Sequence, residues 1–351
     1  MSGQPILVRA RAPLRLGLGG GGSDLSPFCD EYGGFVLNAT IALFVYAMVE
    51  PRTDGKVSFV AADRQETLMY DAGASLDIGP PLPLHKATYL RMIRDFRGGE
   101  PLSLTLTTYS DVPAGSGLGS SSALVVAMIE AFRELLNLPL GEYEVAQLAH
   151  SIERTDAGMQ GGKQDQYAAT FGGFNFMEFY GANRVIVNPL RMKPSTVSEL
   201  EASLVLFNTG VPRDSDAIIA EQASRVVRRE EESIAATLNL KAEAVAMKEA
   251  LLKGDIPRLG EVLNAGWESK KKTAAAVTNR NLEHVYDIAM SAGAFSGKVS
   301  GAGGGGYMIF LVDPARRPAV WRALQGVPGS IVRVQFTNDG SAAWRSRQSS
   351  F

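Results

Sequence analysis

The stretch Pro113-Ala-Gly-Ser-Gly-Leu-Gly-Ser-Ser-Ser-Ala123 decides the reading of this chain. It follows a strand-like alternation at residues 102 to 109 and precedes a long apolar helical run at 120 to 137. Glycine lets backbone N–H groups close on an anion with no Cβ in the way. The helix behind it aims its free N–H groups and the positive end of its dipole back at the loop. Pro113, Ala114, Gly115, Ser116, Gly117, Leu118 and Gly119 therefore form a candidate oxyanion cradle. The hydroxyls of Ser120, Ser121 and Ser122 add hydrogen bonds or an oxygen ligand for Mg²⁺. The plainer alternative is an N-cap preceded by a flexible turn. No Gly-Lys-Ser/Thr follows the glycines, so this is not a Walker A loop, and the protein-kinase set is absent.

Working outward, residues 6 to 18 alternate β-prone residues with Arg9, Arg11 and Arg15 until the cluster Gly17, Gly19, Gly20, Gly21, Gly22 breaks the strand. Strands are expected at 33 to 50 and 56 to 70, and a helix at 83 to 96. Beyond the loop, residues 142 to 154 read as a helix, 158 to 162 as a glycine-broken turn and 164 to 170 as a short helix. Strand-like pieces at 174 to 179 and 203 to 208 flank a polar connection, which divides the chain into units 1–190 and 191–351. The second unit carries expected helices at 214–236, 240–253, 255–272 and 279–292, with strands at 296–300, 306–312 and 331–336. No internal repeat is present.

Three motifs in order make the chain similar to the galactokinase, homoserine kinase, mevalonate kinase and phosphomevalonate kinase (GHMP) family. Arg11-Ala-Pro-Leu-Arg15 with Gly20 and Asp24 resembles its first motif, residues 113–123 its second, and Lys298-Val-Ser-Gly-Ala-Gly-Gly-Gly-Gly-Tyr307 its third. The resemblance implies a two-domain α+β fold, with an N-terminal part like the second domain of ribosomal protein S5 and a ferredoxin-like C-terminal part. It also implies ATP-dependent phosphorylation of a small-molecule hydroxyl, with ATP and Mg²⁺ as cofactors. Lys163-Gln-Asp165-Gln matches the segment that carries the family's catalytic carboxylate, so Asp165 is the expected base or orienting group. Arg15 is expected beside it and the transferred phosphoryl group. Glu153 matches the carboxylate that shares Mg²⁺ with the second loop serine, here Ser121, with Asp156 as a second candidate. Gly303 and Gly304 are expected to cover the nucleotide from the other unit.

The substrate reading rests on a departure. Where galactokinases carry Gly-Glu-His-Thr-Asp, this chain has Gly20-Gly21-Gly22-Ser23-Asp24. The change removes two sugar-binding side chains and leaves Asp24 to accept from hydroxyls. The run from Leu18 to Thr40 most resembles the heptose 7-phosphate kinase branch, which phosphorylates an anomeric oxygen. Candidate substrate contacts are Gly21, Gly22, Ser23, Asp24, Gly162, Lys163, Thr209 and Arg213. Lys86 and the run Lys270 to Lys272 are further cations for a substrate phosphate. Three other readings are a kinase of the same family for fucose or mannose, a sugar- and ATP-binding regulator without turnover, and a dehydrogenase using Gly17 to Gly22 as a dinucleotide fingerprint. Pro13 and the three arginines argue against the last, because a Rossmann first strand is usually buried on both faces.

Composition narrows the classes. Hydrophobic residues at 45% and charged residues at 21% suit a globular enzyme rather than a disordered chain. A net charge of −2 supplies no global field for nucleic acid or an anionic membrane. The single cysteine, Cys29, excludes an intrachain disulfide, and the start lacks a secretory layout, so a cytoplasmic location is expected. The longest apolar stretch, 35 to 49, contains Asn38 and Thr40 and is too short to span a bilayer. A homodimer is expected from general frequency alone.

Overall fold

The computed structural model describes residues 6–211 and 215–347. Arg213 lies outside them. A mixed eight-stranded sheet is built from β1 (Ile6–Gly19), β2 (Gly34–Pro51), β3 (Lys56–Ala61), β4 (Glu66–Asp71), β5 (Leu104–Ser110), β6 (Phe174–Phe179), β7 (Val185–Pro189) and the last strand in sequence, β12 (Ala342–Arg347). Its main path runs β12-β1-β2-β5-β3-β4, with β6 and β7 paired off the lower part of β2. Among the described residues, only β3 and β5 pair in parallel.

The helices around this sheet are α1 (Phe28–Tyr32), α2 (Pro83–Phe96), α3 (Ser120–Leu136), α4 (Glu142–Ser151) and α5 (Gln164–Phe171). The apolar residues of α3 go nearly all round, as they must in a helix packed between a sheet and other helices. Val125, Val126, Met128, Ile129 and Phe132 are fully buried, each stabilising the fold by about 1.5–3 kcal/mol relative to exposure. On β1, Val8, Ala10, Ala12, Leu14 and Leu16 point into this core. The arginines occupy the alternate positions. Arg9 and Arg11 face outward, whereas Arg15 is covered by the phosphate loop and is 4% exposed. Pro13 sits at a register shift in the β1–β2 ladder, where its missing N–H does least harm.

The second half contributes α6 (Pro194–Ser203), β8 (Leu204–Asn208), α7 (Ser215–Val227), α8 (Glu231–Lys253), α9 (Ile256–Lys271), α10 (Arg280–Ser291), β9 (Ala294–Val299), β10 (Tyr307–Val312), α11 (Arg317–Leu324) and β11 (Ser330–Val332). The antiparallel order β11-β8-β10-β9 is the 4-1-3-2 order of a ferredoxin-like βαββαβ unit, as expected. β10 is buried along its whole length because both faces are covered. Tyr307, Ile309 and Leu311 join the core under the first sheet, while Met308, Phe310 and Val312 pack with Leu282, Val285, Val320 and Leu324 of α10 and α11.

Three details differ from the sequence reading. The chain breaks at Arg229, which has a positive φ of 58°, and α8 then runs unbroken through residues 237–239, where a gap was expected. The expected strand at 331–336 shortens to β11 plus a single bridge from Phe336 to Ile41. Residues 342–347 leave the second unit and pair antiparallel with β1, so a clean division at residue 190 does not describe the first sheet. Burial favours that return, because β12 covers an edge that β1 would otherwise present to water.

Candidate active site

A cavity of about 630 Å³ lies where the glycine loops of both halves meet, within the size range of small-molecule sites. One end carries the apolar residues Val45, Ala61, Leu82, Leu84 and Val112 beside the polar Asp63, Arg64, His85, Thr108 and Tyr109. The other end is lined by the loop at 17–22 and by Arg15, Asp165, Lys270 and Lys298. Between them stand Ala114, Gly115, Gly117, Gly119, Ser120 and Ser121 of the phosphate loop. Pro113, Ser116, Leu118 and Ser122 do not face the cavity. No side chain caps α3, whose N-cap is Gly119, so its first-turn N–H groups remain for an anion.

Arg15 and Asp165 sit between the phosphate loop and the sugar-side loop. Arg15 Nε and Nη2 donate to the two Asp165 oxygens at 2.7 and 2.8 Å, and Nη1 donates to Gly117 O at 2.6 Å. Such a forked pairing fixes both planes and ties the carboxylate to the loop. Asp165 is in the first turn of α5, where a negative charge also meets the favourable end of the helix dipole. Its side chain keeps 23% exposure, toward the cavity that it lines.

Asp24 positions that helix. Oδ2 accepts from the backbone N–H groups of Lys163 and Gln164 at 3.0 and 3.1 Å, and Oδ1 accepts from Gln164 Nε2 and Gly22 N at 3.1 Å each. Four bonds fill the acceptor capacity of a carboxylate. Asp24 does line the cavity, but its oxygens already hold the entrance of α5.

Glu153 lies in a single π-helical turn, Ile152–Asp156, that continues α4, and is fully buried. Its Oε2 accepts from Ser122 Oγ at 2.7 Å and from Gln166 Nε2, while Oε1 has no partner. Ser121 was the expected companion of Glu153. Consecutive helix residues point about 100° apart, so Ser121 faces the cavity and Ser122 faces Glu153. A fully buried carboxylate with one unpartnered oxygen, near a first-turn hydroxyl, fits the oxygen chemistry of Mg²⁺. Asp156 is instead paired with Arg91 at 2.7 Å. Among the described residues there is no cluster of three or more His, Cys, Asp or Glu placed to hold a metal.

Several expected contacts are corrected. Ser23 is buried, and its hydroxyl bonds Gly20 O and Phe35 O at 2.7 and 2.9 Å, bracing the turn rather than the cavity. Lys163 points away toward Asp30, 3.5 Å distant. Thr209 Oγ1 donates to Gly306 O at 2.8 Å and makes the turn. Gly303 and Gly304 pack on Val277, with Gly304 N donating to Val277 O at 2.8 Å, so the third loop shows Gly301 and Ala302 to the cavity instead. Lys86 is tied to Gly79 O, Lys271 pairs with Glu268 at 2.7 Å, and Lys272 does not line the cavity, which leaves Lys270 from that run. Gly21, Gly22 and Gly162 do line it.

The two halves meet through backbone. Tyr307 N donates to Ser116 O at 3.2 Å and Ser300 Oγ donates to Gly117 O at 3.1 Å. Gly306 has φ +79°, and a Cβ there would stand 2.4 Å from Ser116 O, so no side chain fits. Sequence reasoning assigned no role to Lys298, Gln164, Arg154 or Glu243. Lys298 was visible inside a motif. The apolar end, assembled from several separate elements, carried no local signal at all.

Known proteins resemble this chain in both its first and its second half. Residues 84–173 match the family description "GHMP kinases N terminal domain" and residues 247–328 match "GHMP kinases C terminal". A Campylobacter jejuni protein described as D-glycero-alpha-D-manno-heptose 7-phosphate kinase is 48% identical over 338 residues, covering 96% of this chain and 99% of that protein. The crystal structure of a D-glycero-D-manno-heptose 1-phosphate kinase from Bacteriodes thetaiotaomicron is similar with a TM-score of 0.82 at 46% identity, covering 96% of this chain and 98% of its own. Lactococcus lactis galactokinase complexed with galactose shares the fold at 22% identity, with a TM-score of 0.74 and coverage of 96% and 95%. With both family regions matched in order and a relative nearly half identical along almost its full length, this chain belongs to the GHMP kinase family.

Proposed function

We propose that the protein transfers the γ-phosphoryl group of ATP to the anomeric hydroxyl of D-glycero-D-manno-heptose 7-phosphate, giving the 1,7-bisphosphate and ADP. The observation that carries the transfer is the Arg15–Asp165 pair held between the phosphate loop and the sugar-side loop. The sugar assignment draws on the heptose-kinase relatives.

Phosphoryl transfer asks a protein mainly for positioning and charge neutralisation. The N–H groups of Gly115, Gly117, Gly119, Ser120 and Ser121, which line the cavity, and the α3 dipole hold the phosphates. The sugar oxygen attacks the γ-phosphorus, the bond to the β–γ bridging oxygen breaks, and the hydroxyl proton passes to Asp165. Arg15 fixes the Asp165 carboxylate and places positive charge beside the reacting oxygens. Ser121 on the cavity wall, and Glu153 behind it through the oxygen that Ser122 and Gln166 leave unpartnered, would hold Mg²⁺, which when bound would offset triphosphate charge. Apolar residues at the far end exclude water from one side of the nucleotide.

The test is ADP release with ATP and Mg²⁺ against heptose 7-phosphate, heptose 1-phosphate, free heptose, fucose, mannose, galactose and mevalonate. The two heptose phosphates are both needed, because the relatives' names differ on which carbon carries the phosphate. Asp165→Ala runs alongside and should lower kcat by ~10²- to 10⁴-fold. Turnover confined to the 7-phosphate supports the reading. Preference for another sugar overturns the substrate, and binding of ATP and sugar without turnover overturns the activity.

A further inference from the structure

Two lysines on the cavity wall have no part in the transfer step. Lys270, in the last turn of α9, donates from Nζ to Gly21 O at 3.0 Å; Lys298, on β9, donates from Nζ to Leu18 O at 3.0 Å. Both reach across from the second half to the same glycine loop. At Gly22 an added Cβ would stand 3.0 Å from Lys270 Nζ and crowd the ammonium group.

Charges of both signs surround Lys298. Lys298 is influenced by Lys270 and Arg15 on the positive side and by Glu243 of α8 on the negative side. Burial, then the charges of Lys270 and Arg15, push Lys298 down to about 7. Glu243 is itself raised by burial, and one of its oxygens already accepts from Ser269 Oγ at 2.8 Å. Arg15 is already paired with Asp165, so the two lysine ammonium groups are what this stretch of wall presents to an anion. Two such donors converging on one loop match a group with several acceptor oxygens.

The wall lies on the sugar side. Gly21 adjoins Gln164, with its virtual Cβ 3.4 Å from Gln164 Nε2, and Gln164 precedes Asp165. The phosphate loop and the N-terminus of α3 belong to the neighbouring stretch of the cavity. We propose that Lys270 and Lys298 bind the phosphate group that the sugar already carries and so select a phosphorylated sugar over the free one. This inference rests on the heptose phosphate reading. The same chemistry also exists on ATP, so the experiment separates the two sources.

Affinities of heptose 7-phosphate, free heptose and ATP with Mg²⁺ are measured by calorimetry for the native protein, Lys270→Met, Lys298→Met and the two Lys→Arg variants, alongside kcat/KM for both sugars. Losing one charged hydrogen-bond partner should weaken heptose 7-phosphate by ~10- to 100-fold in each Met variant. Free heptose and ATP should change by less than about threefold, and unchanged ATP affinity also reports that the variant is folded. Arginine should restore part of the loss. An equal loss for both sugars assigns the lysines to the sugar ring they share, and a loss of ATP affinity assigns them to the triphosphate; either overturns the proposal. A native preference for the phosphorylated sugar that survives both Met substitutions sinks the lysine assignment alone, whereas a native protein that neither binds nor phosphorylates heptose phosphates sinks the substrate reading beneath it.

Discussion

Asp24→Asn is the most informative single change in the sugar-side loop, because it separates a carboxylate that positions a helix from one that holds a sugar. Asparagine keeps one accepting oxygen and replaces the other with an amide that can only donate. Either orientation turns that amide toward two of the four donors now satisfied, the pair on Lys163 N and Gln164 N or the pair on Gly22 N and Gln164 Nε2. Hydrogen bonds to a charged group are each worth ~1.5–3 kcal/mol, so losing two, with partial relaxation, predicts a loss of about 3–5 kcal/mol in unfolding free energy. The strained donors open the helix that carries Asp165, and a base displaced by ~1 Å costs ~10²-fold in rate. Expected is a fall in kcat of ~10- to 100-fold and a lower urea midpoint, with the sugar KM changed by less than about threefold. Steady-state kinetics and urea unfolding of the same preparation measure both. If the sugar KM rises alone, with kcat and the urea midpoint unchanged, Asp24 acts on the substrate and the positioning argument is wrong.

Glu153→Gln keeps shape and removes charge; the Mg²⁺ concentration for half-maximal rate should rise about tenfold with the sugar KM unaltered, and an unmoved Mg²⁺ curve would falsify the Glu153 assignment. His85 is buried against Thr108, and burial first, then the charge of Arg64, push it down to about 4. Above ~6.5 the ring is neutral in both folded and unfolded chains. As pH falls from there toward 4 only the unfolded chain takes the proton, so folding loses up to ~3 kcal/mol across that window. The difference in urea midpoint between native protein and His85→Gln should therefore shift in favour of the variant as pH drops from 7 to 4.5; a difference independent of pH would refute the account. Gly20→Ala places a Cβ 1.9 Å from Phe35 O at φ +77°, which the backbone must move to relieve, so stability should drop by at least ~1–3 kcal/mol in thermal melts. An unchanged melting temperature would mean that the loop is packed differently.

Local signals in the sequence reached far into this fold. The glycine cluster before an apolar helix located α3 and its cradle, and three spaced motifs identified the family that later comparison supports. Asp165 and Arg15 were named from short motifs, and they meet because β1 and α5 each approach the loop. What stayed hidden is what only packing decides. Ser23, Lys163 and Thr209 are polar residues beside the right glycines, yet each spends its side chain on a neighbouring backbone or carboxylate. Nothing in a linear pattern tells a hydroxyl that braces a turn from one that faces a ligand. Ser121 and Ser122 differ only by one helical step. Lys270 and Lys298, 28 positions apart, converge on one loop solely through tertiary contact.

The pairing of β12 with β1 has a consequence for biosynthesis. The strand that bears Arg15 is made long before β12, and its outer edge stays unpaired until residues 342–347 have left the ribosome. Ser341 Oγ bonds Glu130 at 2.9 Å and Arg345 Nε bonds Glu134 at 2.7 Å, so the arriving strand is also latched to α3. A nascent chain therefore presents an open β edge until β12 emerges, an interval in which such edges invite wrong partners. Slow or interrupted translation of residues 342–347 would accordingly penalise soluble yield more than the active site that they never touch.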